Sequence, residues 1–128
     1  MLKSVIAFIA LGLAVAGVMA GPPEEKPPLR QYIITLKLVP ELLDPAKWTD
    51  RENALVGDHF RQLQQLQSEG RLILAGRTLN EDEKMFGIII LECRDEAEAK
   101  AIMEKDAAVK GGIMKAELFP FQVALRAK

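Results

Sequence analysis

Residues 49–76 read TDRENALVGDHFRQLQQLQSEGRLILAG and decide the fold, because they combine a helix, its end and a strand. Thr49 is a good N-cap, and Glu52 three residues later completes a capping box. Gly70 can adopt the left-handed conformation that ends a helix. Residues 72–74 then predict a short buried strand. Between these signals, apolar side chains recur at helical spacing: Leu55, Val56, Phe60, Leu63 and Leu66.

The only histidine of the chain, His59, lies within this helix. It is four residues from both Leu55 and Leu63, so its ring lies on or beside the apolar stripe. A titratable ring at the edge of a core is either held by a structural hydrogen bond or placed in a functional cleft. The residues themselves leave both interpretations open.

Residues 1–20 predict a signal peptide rather than part of the fold. Lys3 supplies the positive start, residues 5–18 are apolar or small, and cleavage is expected after Ala20. A membrane anchor is the alternative, but a spanning helix needs roughly 20 apolar residues. We therefore expect an exported protein, periplasmic or secreted, that has no membrane attachment after cleavage.

The mature chain is expected to form one small domain. Residues 21–28 (GPPEEKPP) predict an extended spacer, and residues 29–128 the folded unit. The formal net charge of −1, with both signs interspersed, argues against a nucleic-acid partner. One cysteine, Cys93, and one histidine cannot form an internal disulfide or a zinc site of ordinary composition. We expect neither a metal nor a cofactor.

The remaining elements complete an α+β pattern. Residues 31–39 alternate as a strand with one buried face, and residues 85–93 are almost continuously apolar, as in a central strand. Residues 96–105 predict a second helix, and residues 113–121 a last strand that Pro120 breaks. The order strand, helix, strand, strand, helix, strand is the ferredoxin-like βαββαβ pattern. Apolar residues on both faces of the sheet predict a homodimer.

Three further residues have two interpretations each. Trp48 precedes the helix cap and suits a hydrophobic staple, or else it forms the wall of a pocket. Arg77 follows the second strand, where it either binds a substrate oxyanion or is a solvated surface residue. Asp106 follows the second predicted helix, where a carboxylate is electrostatically unfavourable and requires a partner or a function.

Two runs of the sequence resemble the YciI-like family of small dimeric α/β-barrel proteins: DHFRQLQQLQSEGRLILAGRT, and DEAEAKAIMEKDAAVKGG followed by IMKAELFPF. The family pairs a helix histidine with an aspartate after the second helix as a proposed active site, and these fall on His59 and Asp106. The family's aspartate is usually followed by proline, whereas Ala107 stands here. One branch resembles a dehydrochlorinase of a chlorinated hydroxyquinol, and the fold is similar to that of ring-modifying enzymes without cofactors.

The resemblance and the residues lead to three hypotheses. In the first, the protein is a cofactor-independent lyase or isomerase in which His59 is the base and Asp106 orients it. Arg77, Trp48 and Phe60 then contact a small aromatic or hydroxylated substrate. In the second, the same cleft belongs to a non-catalytic dimeric module that binds a small ligand. In the third, the pair is only a structural hydrogen bond.

Overall fold

The computed structural model describes residues 12, 14, 16–17 and 21–128. The predicted signal peptide falls largely outside the described residues, and so does its cleavage site at Ala20. Residues 21–28 are exposed and form no helix or strand. Within the part of the chain that is described, no helix has the length and apolar character needed to cross a membrane.

The fold is built on one four-stranded antiparallel sheet. Its strands are β1 (Arg30–Leu38), β2 (Leu72–Arg77), β3 (Gly87–Cys93) and β4 (Met114–Phe121), in the spatial order β2-β3-β1-β4. All three neighbouring pairs are antiparallel. This is the strand order of a ferredoxin-like α+β domain, so the predicted fold class is confirmed.

In the described part of the chain, three helices accompany the sheet: α1 (Asp50–Ser68), α2 (Glu96–Lys105) and the four-residue α3 (Ala107–Lys110). The predicted capping box is present, because Thr49 N–H donates to the Glu52 carboxylate at 2.9 Å and the Thr49 side chain caps the helix. These side-chain and backbone hydrogen bonds from Thr49 lower the pKa of Glu52 to about 2. Gly70 follows the helix with φ +71°, as its sequence position predicts.

The helices cover one face of the sheet, and the main core lies between the helices and that face. Alternate side chains of the two central strands point into it, because successive strand residues face opposite sides. The core contains eight buried residues: Tyr32, Ile34, Leu36, Leu63, Ile89, Leu91, Cys93 and Ala99. A second cluster contains Leu42, Ala108 and Ile113. Leu42 belongs to the first of two short 3-10 turns, Pro40–Leu43 and Pro45–Lys47.

The other face of the sheet carries an apolar row. The strand register places Leu74 opposite Ile90, Ile90 opposite Ile33, and Ile33 opposite Phe119. Leu74 and Phe119, at the two ends of the row, are each 45% exposed. We call these four residues the outer-face row.

The prediction that Pro120 breaks the last strand is wrong, because β4 continues through Phe121 and Pro120 pairs with Tyr32. β4 is an edge strand. A proline is tolerated in an edge strand, where the amide that it lacks would face away from the sheet.

Candidate active site

The structure brings His59 and Asp106 together, although they are distant in sequence. His59 lies on α1, and Asp106 lies at the junction between α2 and α3. Nδ1 of the histidine is 2.6 Å from Oδ2 of the aspartate, and the two side chains are 13% and 8% exposed. A hydrogen bond of this length to a carboxylate, largely shielded from water, is among the stronger ones in proteins.

Asp106 is held by the backbone of α3 as well as by His59. Its Oδ1 accepts hydrogen bonds from the N–H groups of Ala108 at 2.9 Å and Val109 at 3.3 Å. The prediction that the backbone disfavours a carboxylate here is wrong, because α3 begins directly after Asp106 and makes this residue an N-cap. Aspartate is a preferred N-cap, and the start of a helix favours negative charge.

The hydrogen bonds of the pair determine which ring nitrogen is free. The carboxylate can only accept, so the neutral ring of His59 carries its proton on Nδ1. Nε2 makes no hydrogen bond to any described residue, and no buried side-chain nitrogen or oxygen in the described chain lacks a partner. Solvent therefore reaches Nε2, which keeps a lone pair that can accept a proton.

His59 lines a cavity of about 890 Å³ that is walled mainly by apolar side chains. The cavity lies between α1, the two 3-10 turns and the ends of β2 and β3. Trp48, Phe60 and Arg77 line the same cavity, so the structure brings all the predicted substrate-contacting residues to the histidine. Asp106 does not line it and lies behind the ring.

These three lining residues differ in their surroundings. Trp48 packs against the second core cluster, donates from Nε1 to the carbonyl of Leu42 at 2.8 Å, and walls the cavity, as the second of its two interpretations expects. The hydrophobic staple stays a prediction, because the helix position that a staple would contact is the polar Asn53. Phe60 is 59% exposed. Arg77 is exposed and forms no ion pair or side-chain hydrogen bond with residues 21–128, so its guanidinium is available to an anionic group.

Sequence reasoning missed two polar residues of the cavity, Asn53 and Glu81. Asn53 lies on α1 below the cap, and Glu81 lies in the connection between β2 and β3. Neither belongs to a recognisable motif, and only the fold brings them near His59. Glu81 adds a second charge, opposite in sign to that of Arg77, to the mainly apolar wall.

The single thiol does not contribute a nucleophile. Cys93 is fully buried in the main core, on the helix-covered face of β3. Burial raises the pKa of the Cys93 thiol to about 11, against the opposing effect of the Arg71 guanidinium nearby. A neutral buried thiol is unreactive at neutral pH, so Cys93 is not a candidate nucleophile.

The fold and the site thus define a class of protein: small α+β domains in which a histidine–aspartate pair adjoins an apolar cavity. A model of the YCII-related domain matches residues 31–122. The chain therefore belongs to the YCII-related domain family, as its sequence resemblance predicts.

The solved structures that are similar in fold include an enzyme. It is a 5-chloro-2-hydroxyhydroquinone dehydrochlorinase from Burkholderia phenoliruptrix AC1100, in complex with 2,5-dihydroxybenzoquinone. The match has a TM-score of 0.55 and 17% sequence identity, and it covers 72% of this chain and 93% of that one. At this identity the likeness shows a common fold. No curated protein matches the chain.

Proposed function

We propose that this protein is a cofactor-independent lyase or isomerase that acts on a small hydroxylated aromatic compound, with His59 as the general base. The observation that carries the proposal is the arrangement of one imidazole ring. Nδ1 is bound to a buried carboxylate, while Nε2 is free at an apolar cavity. A ring held in this way is oriented to take a proton from a phenolic hydroxyl.

The proposed chemistry needs only proton transfers. Nε2 of His59 removes a hydroxyl proton and returns a proton to the ring carbon that bears the leaving group, which gives the keto tautomer. Loss of a second hydroxyl proton then expels the leaving group as an anion with its bonding electron pair. The substrate loses one proton and one anion in total, so no oxidant or reductant is required.

Two further residues have roles in this scheme. Asp106 holds the ring in the tautomer that leaves Nε2 unprotonated. Arg77, exposed at the cavity, binds the oxyanion that forms when the hydroxyl loses its proton. The dehydrochlorinase that shares the fold acts on a chlorinated hydroxyhydroquinone, which supports this substrate class.

A non-catalytic ligand-binding module is the second candidate. The cavity favours it by being large and mainly apolar, with few charged groups. Under this reading, affinity depends on Trp48 and Phe60, and replacing Asp106 leaves affinity unchanged.

We also propose that the protein works as an exported homodimer. The outer-face row supports the dimer, because an exposed apolar sheet face is a liability for a small monomer. The sequence of residues 1–20 supports export. The intact mass of protein from its native host should correspond to a chain that begins at Gly21, and a mass that includes Met1 would contradict export.

The proposed function is tested by measuring binding and turnover on the same variants. Trp48 is the only tryptophan and lines the cavity, so its fluorescence reports a bound ligand. We expect wild-type protein to release chloride from 5-chloro-2-hydroxyhydroquinone without added cofactor. His59→Ala should bind the compound but release no chloride, and Gln65→Leu, an exposed change on α1, should behave as wild type.

Each outcome either favours one candidate function or refutes part of the proposal. Binding without chloride release in the wild type would favour the binding module. Equal chloride release by the wild type and by His59→Ala would refute the role of His59 as the general base. Absence of any fluorescence change at millimolar compound would exclude this substrate class for the cavity.

A further inference from the structure

The side chain of Gln62 bridges the two residues that flank Asp106. Its Nε2 donates to the carbonyl of Lys105 at 3.0 Å, and its Oε1 accepts from the N–H of Ala107 at 2.8 Å. Gln62 lies on α1, three residues after His59, so the two side chains are neighbours on the helix. One helix therefore contacts both the carboxylate of Asp106 and the backbone on each side of it.

The bridge lies where the backbone loses its regular hydrogen bonds. α2 ends and α3 begins at Asp106, whose φ of −56° and ψ of 128° interrupt the helical path. At such a break the last carbonyls of one helix and the first N–H groups of the next lack helical partners. Lys105 supplies one such carbonyl and Ala107 one such N–H. A primary amide, with a donor and an acceptor, satisfies both.

We propose that Gln62 is a positioning residue that holds the carboxylate of Asp106 on Nδ1 of His59; the catalytic meaning of this role rests on the proposed function. The 2.6 Å contact between the pair depends on where the junction of α2 and α3 lies relative to α1. Gln62 fixes that junction by polar contacts on both sides of the aspartate. Without these contacts the junction can move, and the carboxylate of Asp106 then no longer fixes the tautomer of the His59 ring.

The test replaces Gln62 by leucine, which keeps the size of the side chain and removes both hydrogen bonds. Gln65→Leu is the matched control, because Gln65 lies on the same helix and its amide contacts only Glu69. The first readout is the ¹⁵N NMR spectrum of the single histidine ring, recorded where the ring is neutral. The second is chloride release.

We expect Gln62→Leu to convert the Nδ1–H form of His59 into a mixture of the two tautomers. Turnover should fall roughly tenfold or more in kcat with KM nearly unchanged, as is typical when a group that orients a reacting residue is removed. Gln65→Leu should change neither readout. A Gln62→Leu protein that is less stable but retains the wild-type histidine spectrum would overturn the proposal, since Gln62 would then only join helices.

A rescue experiment separates positioning from packing. Ala107 is the first residue of α3, where proline is tolerated, and the ψ of 128° at Asp106 is one that residues before proline adopt. Proline at position 107 removes the N–H that Gln62→Leu leaves unpaired and also fixes φ there. The double variant Gln62→Leu, Ala107→Pro should recover the Nδ1–H form. A folded double variant without recovery would contradict the proposed role of this backbone.

The histidine tautomer tests the positioning role of Gln62, and chloride release tests the proposed reaction, so one can be refuted without the other. An altered tautomer in Gln62→Leu would support positioning even if no variant releases chloride, and the proposed reaction alone would then be wrong. An unchanged tautomer would refute positioning even if the wild type is an active enzyme.

Discussion

Asp106→Asn is the change that probes the pair most sharply, because it preserves shape and removes charge. The two N–H donors of Ala108 and Val109 fix the orientation of the new side chain. They require the amide oxygen at the position of Oδ1, so the amide NH₂ must face His59. A donor then meets Nδ1, and the ring must move its proton to Nε2 to accept from it.

The expected magnitudes follow from these contacts. The variant loses one charge-assisted hydrogen bond but keeps both backbone contacts, so the free energy of unfolding should fall by about 1–2 kcal/mol. The effect on catalysis should be larger, because Nε2 with a proton cannot act as a base. A general base contributes about 10²–10⁴ in rate, so kcat should fall by that factor, which corresponds to about 3–5 kcal/mol.

The assay is the ¹⁵N spectrum of the only histidine, measured beside urea unfolding and chloride release. The ring should change from the Nδ1–H form in the wild type to the Nε2–H form in Asp106→Asn. Glu69→Gln, at the C-terminal end of the same helix, is a control that should leave the ring unchanged. If Asp106→Asn retains the Nδ1–H form, the aspartate does not set the tautomer and the reasoning is refuted.

Three further changes test the fold around the site. Gly111→Ala should lower the free energy of unfolding by roughly 1–3 kcal/mol in urea titrations, because the new Cβ would lie 2.6 Å from Leu55 Cδ1; Gly57→Ala, which meets only ordinary contacts, should not destabilise. Iodoacetamide should modify Cys93 in urea but not in the folded protein. Because burial raises the pKa of this thiol from 9.0 to about 11, the favourable contribution of the neutral thiol to the free energy of unfolding should persist below pH 9 and disappear as the pH rises through 11. The wild type should be a dimer by light scattering and Phe119→Glu a monomer, whereas a monomeric wild type would refute the proposed assembly.

The first helix and the order of elements were predictable because their signals are local. The capping box at Thr49 and Glu52, the apolar spacing and Gly70 all act within a few residues of one another. The alternation of residues 31–39 likewise predicted β1, and the almost continuous apolar run of residues 85–93 predicted β3. Pro120 was misread because its tolerance depends on β4 lying at the edge of the sheet, which is a property of the whole fold.

The candidate site was predictable only in part. His59 and Asp106 were paired by family resemblance, but the hydrogen bonds that orient Asp106 were not, because α3 has four residues and shares its cap with the end of α2. Gln62 was missed for a different reason. A glutamine on an amphipathic helix is typical of a solvated face, and its partners Lys105 and Ala107 are more than 40 residues away in sequence.

The role of His59 as the base is tested most directly by a crystal structure of the protein with a hydroxylated quinone or phenol bound. The decisive quantity is the distance from Nε2 of His59 to the nearest ligand oxygen. We predict a value of about 2.6–3.2 Å, with Nδ1 still on Asp106. A ligand that occupies the cavity with no polar atom within hydrogen-bond reach of Nε2, directly or through one water, would contradict that role.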